Sequence, residues 1–159
     1  MKMAAFFFFL ISSIAHAGCY QIEATCGEVR KTGNGKILRR LEPNLFGINA
    51  KFVLKTKFEN HVVLNEYSCS KKEMNVFPLT NGERKTAFTK FSDKEKFVSL
   101  KKEFKAEIKK SKKSRETLYA CVGHIKVEPM KYSGSHVFFN SESTDAAVEQ
   151  MRRQARRHL

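Results

Sequence analysis

The chain has no tryptophan, and among its 159 residues there are only 8 glycines and 3 prolines. This scarcity excludes a collagen-like or linker-dominated chain. A hydrophobic share of 42% excludes a wholly disordered chain. No segment repeats at a period of about 20–50 residues, which excludes a solenoid. The length therefore suits a single domain.

The familiar signatures of catalysis and of metal binding are also missing. The sequence contains no C-x-x-C, no H-E-x-x-H, no G-x-S-x-G and no Walker or Rossmann glycine pattern. Pairs of carboxylates are sparse and have no apolar run around them, so glycosidase chemistry is unsupported. The sequence therefore predicts no metal site, no cofactor and no catalytic residue, and it favours a noncatalytic protein.

Acidic residues are few, with 16 Asp and Glu against 30 Lys and Arg, for a net charge of +14. The imbalance is greatest over residues 93–115, where ten basic residues meet four acidic ones. Such a segment favours contact with a polyanion. The alternative is that these lysines form a solvated face of a basic protein.

The first seventeen residues have the layout of a secretory signal peptide. Lys2 precedes an apolar run over residues 6–14, and Ala15-His16-Ala17 places small residues at the two positions that a signal peptidase reads. The run is too short for a membrane span, which needs about 20 residues. We expect cleavage after Ala17 and export to the periplasm or beyond. Since residues 1–17 hold one basic and no acidic residue, the remaining chain keeps a charge of +13.

Gly18-Cys19 resembles the end of a bacterial lipoprotein lipobox. The leucine usual three positions before that cysteine is replaced by His16. Lipidation of Cys19 would also leave an odd number of cysteines. Lipoprotein anchoring at Cys19 is therefore less favoured than cleavage after Ala17.

Four cysteines, Cys19, Cys26, Cys69 and Cys121, remain after that cleavage. An even count in a small exported domain predicts two disulfides. Three connectivities are open. We expect Cys69 to pair with Cys121, because the settings Tyr67-Ser-Cys69 and Tyr119-Ala-Cys121 are alike, and Cys19 to pair with Cys26 in an N-terminal loop.

Alternating apolar residues predict several short strands, of which residues 49–58 show the clearest pattern. Glu59-Asn60 is expected to form a tight turn, after which residues 61–69 return as the antiparallel partner. A capping box at Ser92 and an apolar stripe from Phe97 to Ile108 predict a helix over 93–111. A weaker stripe predicts a C-terminal basic helix over 143–159, separate from a β-rich disulfide-bonded domain over 18–142.

These elements predict a mainly β protein with α-helices (α+β), built on a small antiparallel sheet. A helix that interrupts an antiparallel run resembles an OB-like, partly open barrel. The resemblance concerns the fold alone and implies no particular function.

The favoured function is binding of an anionic envelope partner, such as a lipid headgroup, lipopolysaccharide or an acidic polymer. The predicted binding residues are lysines of the helix: Lys101, Lys102, Lys105, Lys109, Lys110, Lys112 and Lys113. Nucleic acid is a less favoured partner, since export removes the protein from most of it and the periodic phenylalanines fit a core.

Two alternatives stay open. One is a protein-interaction or inhibitor module that uses a sheet edge or the C-terminal helix. The other is a small secreted hydrolase or nuclease that uses His124 and His136, which a hairpin would bring within a few residues of each other.

Overall fold

The computed structural model describes residues 18–32, 34–69, 72–76, 84–129 and 131–159. The elements in chain order are β1 (Cys19–Val29), β2 (Lys36–Asn44), β3 (Gly47–Cys69), β4 (Lys72–Val76), β5 (Lys85–Phe91), α1 (Lys94–Ser114), β6 (Tyr119–Glu128), β7 (Tyr132–Asn140) and α2 (Thr144–Arg156). The predicted signal peptide lies outside the described residues. No helix within the described ranges is long and apolar enough to cross a membrane.

The strands form one antiparallel sheet in the order β2-β3-β1-β6-β7, and β4 and β5 also pair with β3. The sheet curls into a half-barrel that carries the two helices. Ser135 Oγ on β7 donates a 2.8 Å hydrogen bond to the Lys90 carbonyl on β5, which draws these strands towards each other. The predicted antiparallel α+β class is confirmed.

The predicted tight turn at Glu59-Asn60 is wrong, because β3 runs through it as a single strand of 23 residues. The pairing passes from Cys26 opposite Val62 to Glu28 opposite Glu59, so that Asn60 and His61 together face Gly27. This extra residue is a β-bulge, and Asn60 takes a φ of 47° within it. Asparagine tolerates positive φ in bulges as well as in turns, so the residue type alone did not distinguish them.

The predicted disulfide pairing is also wrong, because the bonds join Cys19 to Cys69 and Cys26 to Cys121. β1 lies between β3 and β6, and each of its cysteines is directly opposite its partner. Cys26 follows Cys19 by seven steps of extended strand, about 23 Å, which rules out a bond between them. The error came from expecting a loop where the chain forms a strand.

The two faces of the sheet carry separate cores. One face packs against α2 through residues that include Ile22, Leu64 and Met151. The other packs against α1 through residues that include Phe58 and Phe104. β6 contributes to both faces, with Cys121 on one and Val122 on the other, as the two-residue period of a strand requires.

The N-cap of α1 is Asp93, which corrects the predicted capping residue, Ser92. The Asp93 carboxylate accepts hydrogen bonds from the backbone N–H groups of Glu95 (2.9 Å) and Lys96 (3.3 Å). The helix extends beyond the predicted end at residue 111, and Ser111 Oγ donates to the Glu116 carbonyl beyond it. The C-terminal helix is confirmed but ends at Arg156 rather than at residue 159.

Candidate functional site

α1 is held against the sheet by an apolar stripe that fixes which of its sides faces outwards. Phe97, Phe104 and Ile108 are buried, as their helical spacing predicts. The Phe104 ring meets the edge of Phe139 on β7 with 4.8 Å between centroids, and Phe97 stacks on Phe52 of β3 at 5.7 Å. These contacts to two strands set the rotation of the helix about its axis.

That rotation gathers most of the predicted lysines onto one side. At about 100° of rotation per residue, six of them lie within an arc of about 120°. This lysine face consists of Lys101, Lys102, Lys105, Lys109, Lys112 and Lys113. All are exposed except Lys101, which is half-buried. The seventh predicted lysine, Lys110, lies outside the arc, on the side of Glu103 and Glu107.

The lysine face concentrates positive charge on one side of α1. None of its lysines takes part in the ion pairs found among the described residues. Partial burial of Lys101 and the like charge of Lys105 lower the pKa of the Lys101 ammonium. Gly35 lies beside Lys101, since a Cβ added there would be 3.9 Å from the lysine Cγ. An anion bound on this face would relieve the repulsion between its lysines.

The inside of the curl contains an open groove with a volume of about 600 Å³ that sequence reasoning missed. Its walls come from β1, β3, β5, β6 and β7 and include Glu23, Lys85, Phe88, Lys90 and His124. Charges of both signs line it, so its electrostatics select neither anions nor cations. No local pattern in the sequence indicates the groove, because it exists only once distant strands curl around it.

The two histidines of the hydrolase hypothesis point to opposite faces of the sheet. Gly123 lies opposite His136, and His124 lies opposite Ser135 in the β6–β7 pairing. His124 is exposed and its Nε2 lies 2.7 Å from Ser133 Oγ. His136 instead bonds Tyr132 Oη at 2.7 Å on the face that packs against α2. The two imidazoles therefore do not share a pocket.

His136 is half-buried and lies among other basic side chains. Burial lowers its pKa to about 4, and the charges of Lys96, His158 and His124 act in the same direction. The Tyr132 ring stacks on His158 with 3.6 Å between centroids, which links this cluster to the chain just after α2. His136 is therefore a neutral structural residue near pH 7.

The described residues contain no group of three or more His, Cys, Asp or Glu side chains that could hold a metal ion. Bound metals thus have no candidate ligand set in the part of the chain that the structure describes.

No protein-family model, no curated protein and no solved structure matches this chain. A fold by itself does not specify a function. The chemistry of the surface is accordingly the guide to what the protein does.

A second surface escaped sequence reasoning. β5 pairs with β3 over Phe52–Phe58 only. Between Phe52 and the turn that joins β2 to β3, these two strands continue as a two-stranded hairpin. Leu45 and Phe46 form its turn and are 99% and 97% exposed. Turns usually carry glycine, asparagine or aspartate, so large apolar residues between Asn44 and Gly47 were the signal available in the sequence.

Proposed function

We propose that this protein is an exported, noncatalytic binding domain whose lysine face engages an anionic component of the cell envelope. The candidate components are lipid headgroups, lipopolysaccharide and acidic polymers. The same proposal includes export, with cleavage after Ala17, and a likeness of the half-barrel to an OB-like, partly open barrel. The lysine face would supply attraction, and the sheet would supply a rigid support.

The observation that carries the proposal is the row of six lysines, none of which has an acidic partner among the residues that the structure describes. From Lys101 to Lys113 the row is about 18 Å long, at 1.5 Å of rise per residue. A linear polyanion or a row of headgroups presents negative charges over a comparable length. Stability of the helix does not explain the arrangement, because Lys101 with Lys105 and Lys105 with Lys109 are like-charge pairs four residues apart, which destabilise a helix.

The cysteines support the exported setting. Both disulfides are formed, and all four cysteines are used. Such bonds persist in oxidising compartments and are rare in a reducing cytosol.

The test compares two variants with equal changes of charge. Lys105→Glu with Lys109→Glu reverses two charges on the lysine face. Lys110→Glu with Lys126→Glu reverses two exposed charges outside it. Binding of inorganic polyphosphate is measured by calorimetry at about 0.05 M and about 0.5 M salt, which span weak and strong screening.

We expect the first variant to lose about tenfold or more in affinity at low salt, and the second to lose less than about threefold. High salt should strongly lower the affinity of the wild-type protein for polyphosphate. Equal losses in the two variants would mean that net charge, rather than this face, attracts the anion. A wild-type protein that fails to bind polyphosphate even at low salt would favour the interaction or inhibitor module instead.

A further inference from the structure

The projecting hairpin of β2 and β3, called here the hairpin arm (residues 40–51), has two chemically different faces. Leu41 lies opposite Ala50, and Pro43 lies opposite Ile48. Residues directly opposite each other point to the same face, so these four side chains form one apolar face. Leu41 and Ile48 are 63% and 68% exposed. This apolar face therefore lies open to its surroundings.

The other face of the hairpin arm is polar and predominantly basic. Arg40 lies opposite Lys51 there, and Glu42 lies opposite Asn49. The Glu42 carboxylate is bound to the Lys90 ammonium at 2.5 Å, so its charge is compensated from β5. The hydrogen bond from Lys90 lowers the pKa of Glu42, which keeps that carboxylate ionised. The net charge offered by the arm is positive.

We propose that the hairpin arm inserts its Leu45-Phe46 tip into the interfacial region of a lipid bilayer that carries anionic headgroups. Four steps of strand, from Arg40 to Asn44, extend about 13 Å, whereas interfacial segments bury their apolar face about 5–10 Å deep. Arg40 and Lys51 would then lie at the level of the phosphates. The proposal concerns a second surface and is independent of the lysine face.

A bilayer fits this surface better than a protein partner does. The residues that contribute most to a specific protein interface cluster near its centre, whereas Leu45 and Phe46 lie at the very end of the arm. A second copy of the chain packed on the apolar face would leave Arg40 and Lys51, on the opposite face, without anionic groups beside them. A bilayer needs only shallow insertion together with anionic headgroups near basic side chains.

The absence of tryptophan from the chain makes insertion directly measurable. Leu45→Trp places a single fluorophore at the tip, and Phe88→Trp places one at an exposed aromatic position on β5 as the control. Vesicles are made of phosphatidylcholine with about 30% phosphatidylglycerol. We expect a blue shift of the L45W emission, and quenching by lipids brominated in the acyl chain, with neither effect in F88W.

A second variant separates this proposal from the function proposed for the lysine face. Leu45→Asp with Phe46→Asp should lower vesicle affinity by about tenfold or more and leave polyphosphate affinity unchanged. Unshifted L45W emission on vesicles that retain the protein would overturn insertion, as would a lack of vesicle binding. A dimer in sedimentation that the aspartate variant dissociates would assign the arm to a second copy instead.

Discussion

The carboxylate of Glu66 on β3 and the guanidinium of Arg152 on α2 form an ion pair in the interior of the protein. Glu66 Oε2 and Arg152 Nε are 3.0 Å apart, and the Glu66 side chain is 2% exposed. Arg152 also donates to Glu149 at 2.6 Å. Burial by itself would lower the pKa of Arg152, but its hydrogen bonds to Glu149 and Glu66 outweigh burial and raise it. The pair fastens the C-terminal helix to the sheet.

Removal of either Glu66 or Arg152 should therefore lower the stability of the protein strongly. Arg152→Met would leave the Glu66 carboxylate buried without its cation, and we expect the free energy of unfolding to fall by about 3 kcal/mol. Urea denaturation measures the change. Arg153→Met is the matched control because Arg153 is exposed, and its effect should stay within about 0.5 kcal/mol. Equal effects in the two variants would contradict the role assigned to the buried pair.

The disulfide connectivity can be checked directly. Digestion without reduction, followed by mass spectrometry, should yield one peptide pair that joins Cys19 to Cys69 and another that joins Cys26 to Cys121. Each bond should contribute about 2–4 kcal/mol to stability. The Cys26–Cys121 bond should contribute somewhat more, since it closes a separation of 95 residues against 50. A peptide that joins Cys69 to Cys121 would overturn the strand order around β1.

Stability should fall between neutral and mildly acidic pH because of His136. Its folded-state pKa is lowered to about 4 by burial, from an ordinary value of 6.5. Above pH 6.5 the imidazole is neutral in both the folded and the unfolded protein, so its ionisation costs no stability. As the pH falls from 6.5 towards 4, only the unfolded chain binds a proton there, and the free energy of unfolding falls. The loss should be on the order of 2 kcal/mol, allowing for screening at a half-buried site.

Urea midpoints measured at several pH values test this expectation. His136→Gln should flatten the curve, whereas His124→Gln should change it far less, because the charge of His124 is the smallest of the causes that lower the pKa of His136. An unchanged slope in the first variant would assign the acid sensitivity to another group.

Gly123 on β6 should not tolerate a side chain. A Cβ added there would lie 2.5 Å from Ala24 Cα on the neighbouring strand β1, where nothing short of a backbone shift makes room. We expect Gly123→Ala to destabilise the fold by about 2–3 kcal/mol. Gly47→Ala is the comparison. Gly47 has open space around it but a φ of 129°, so the substitution should cost only backbone strain, about 1–2 kcal/mol. Thermal unfolding should rank the two in this order.

Local patterns predicted local structure well in this chain. The spacing of Phe97, Phe104 and Ile108 located α1 and its buried side, and through that side the exposure of most of its lysines. Local patterns gave wrong predictions for the turn at Asn60 and for the disulfide partner of Cys26. An asparagine with positive φ fits a turn or a bulge, and a cysteine pairs with whichever strand lies opposite, which no local window reveals.

The sequence by itself determined the charge, the α+β class, the identity of the disulfide-forming residues and the amphipathic helix. Each of these follows from composition or from a period of a few residues. Tertiary structure decided the disulfide partners, the separation of His124 from His136 and the hairpin arm with its exposed tip. Those features depend on which distant strands become neighbours and in which register, and register is set by the packing of the whole sheet.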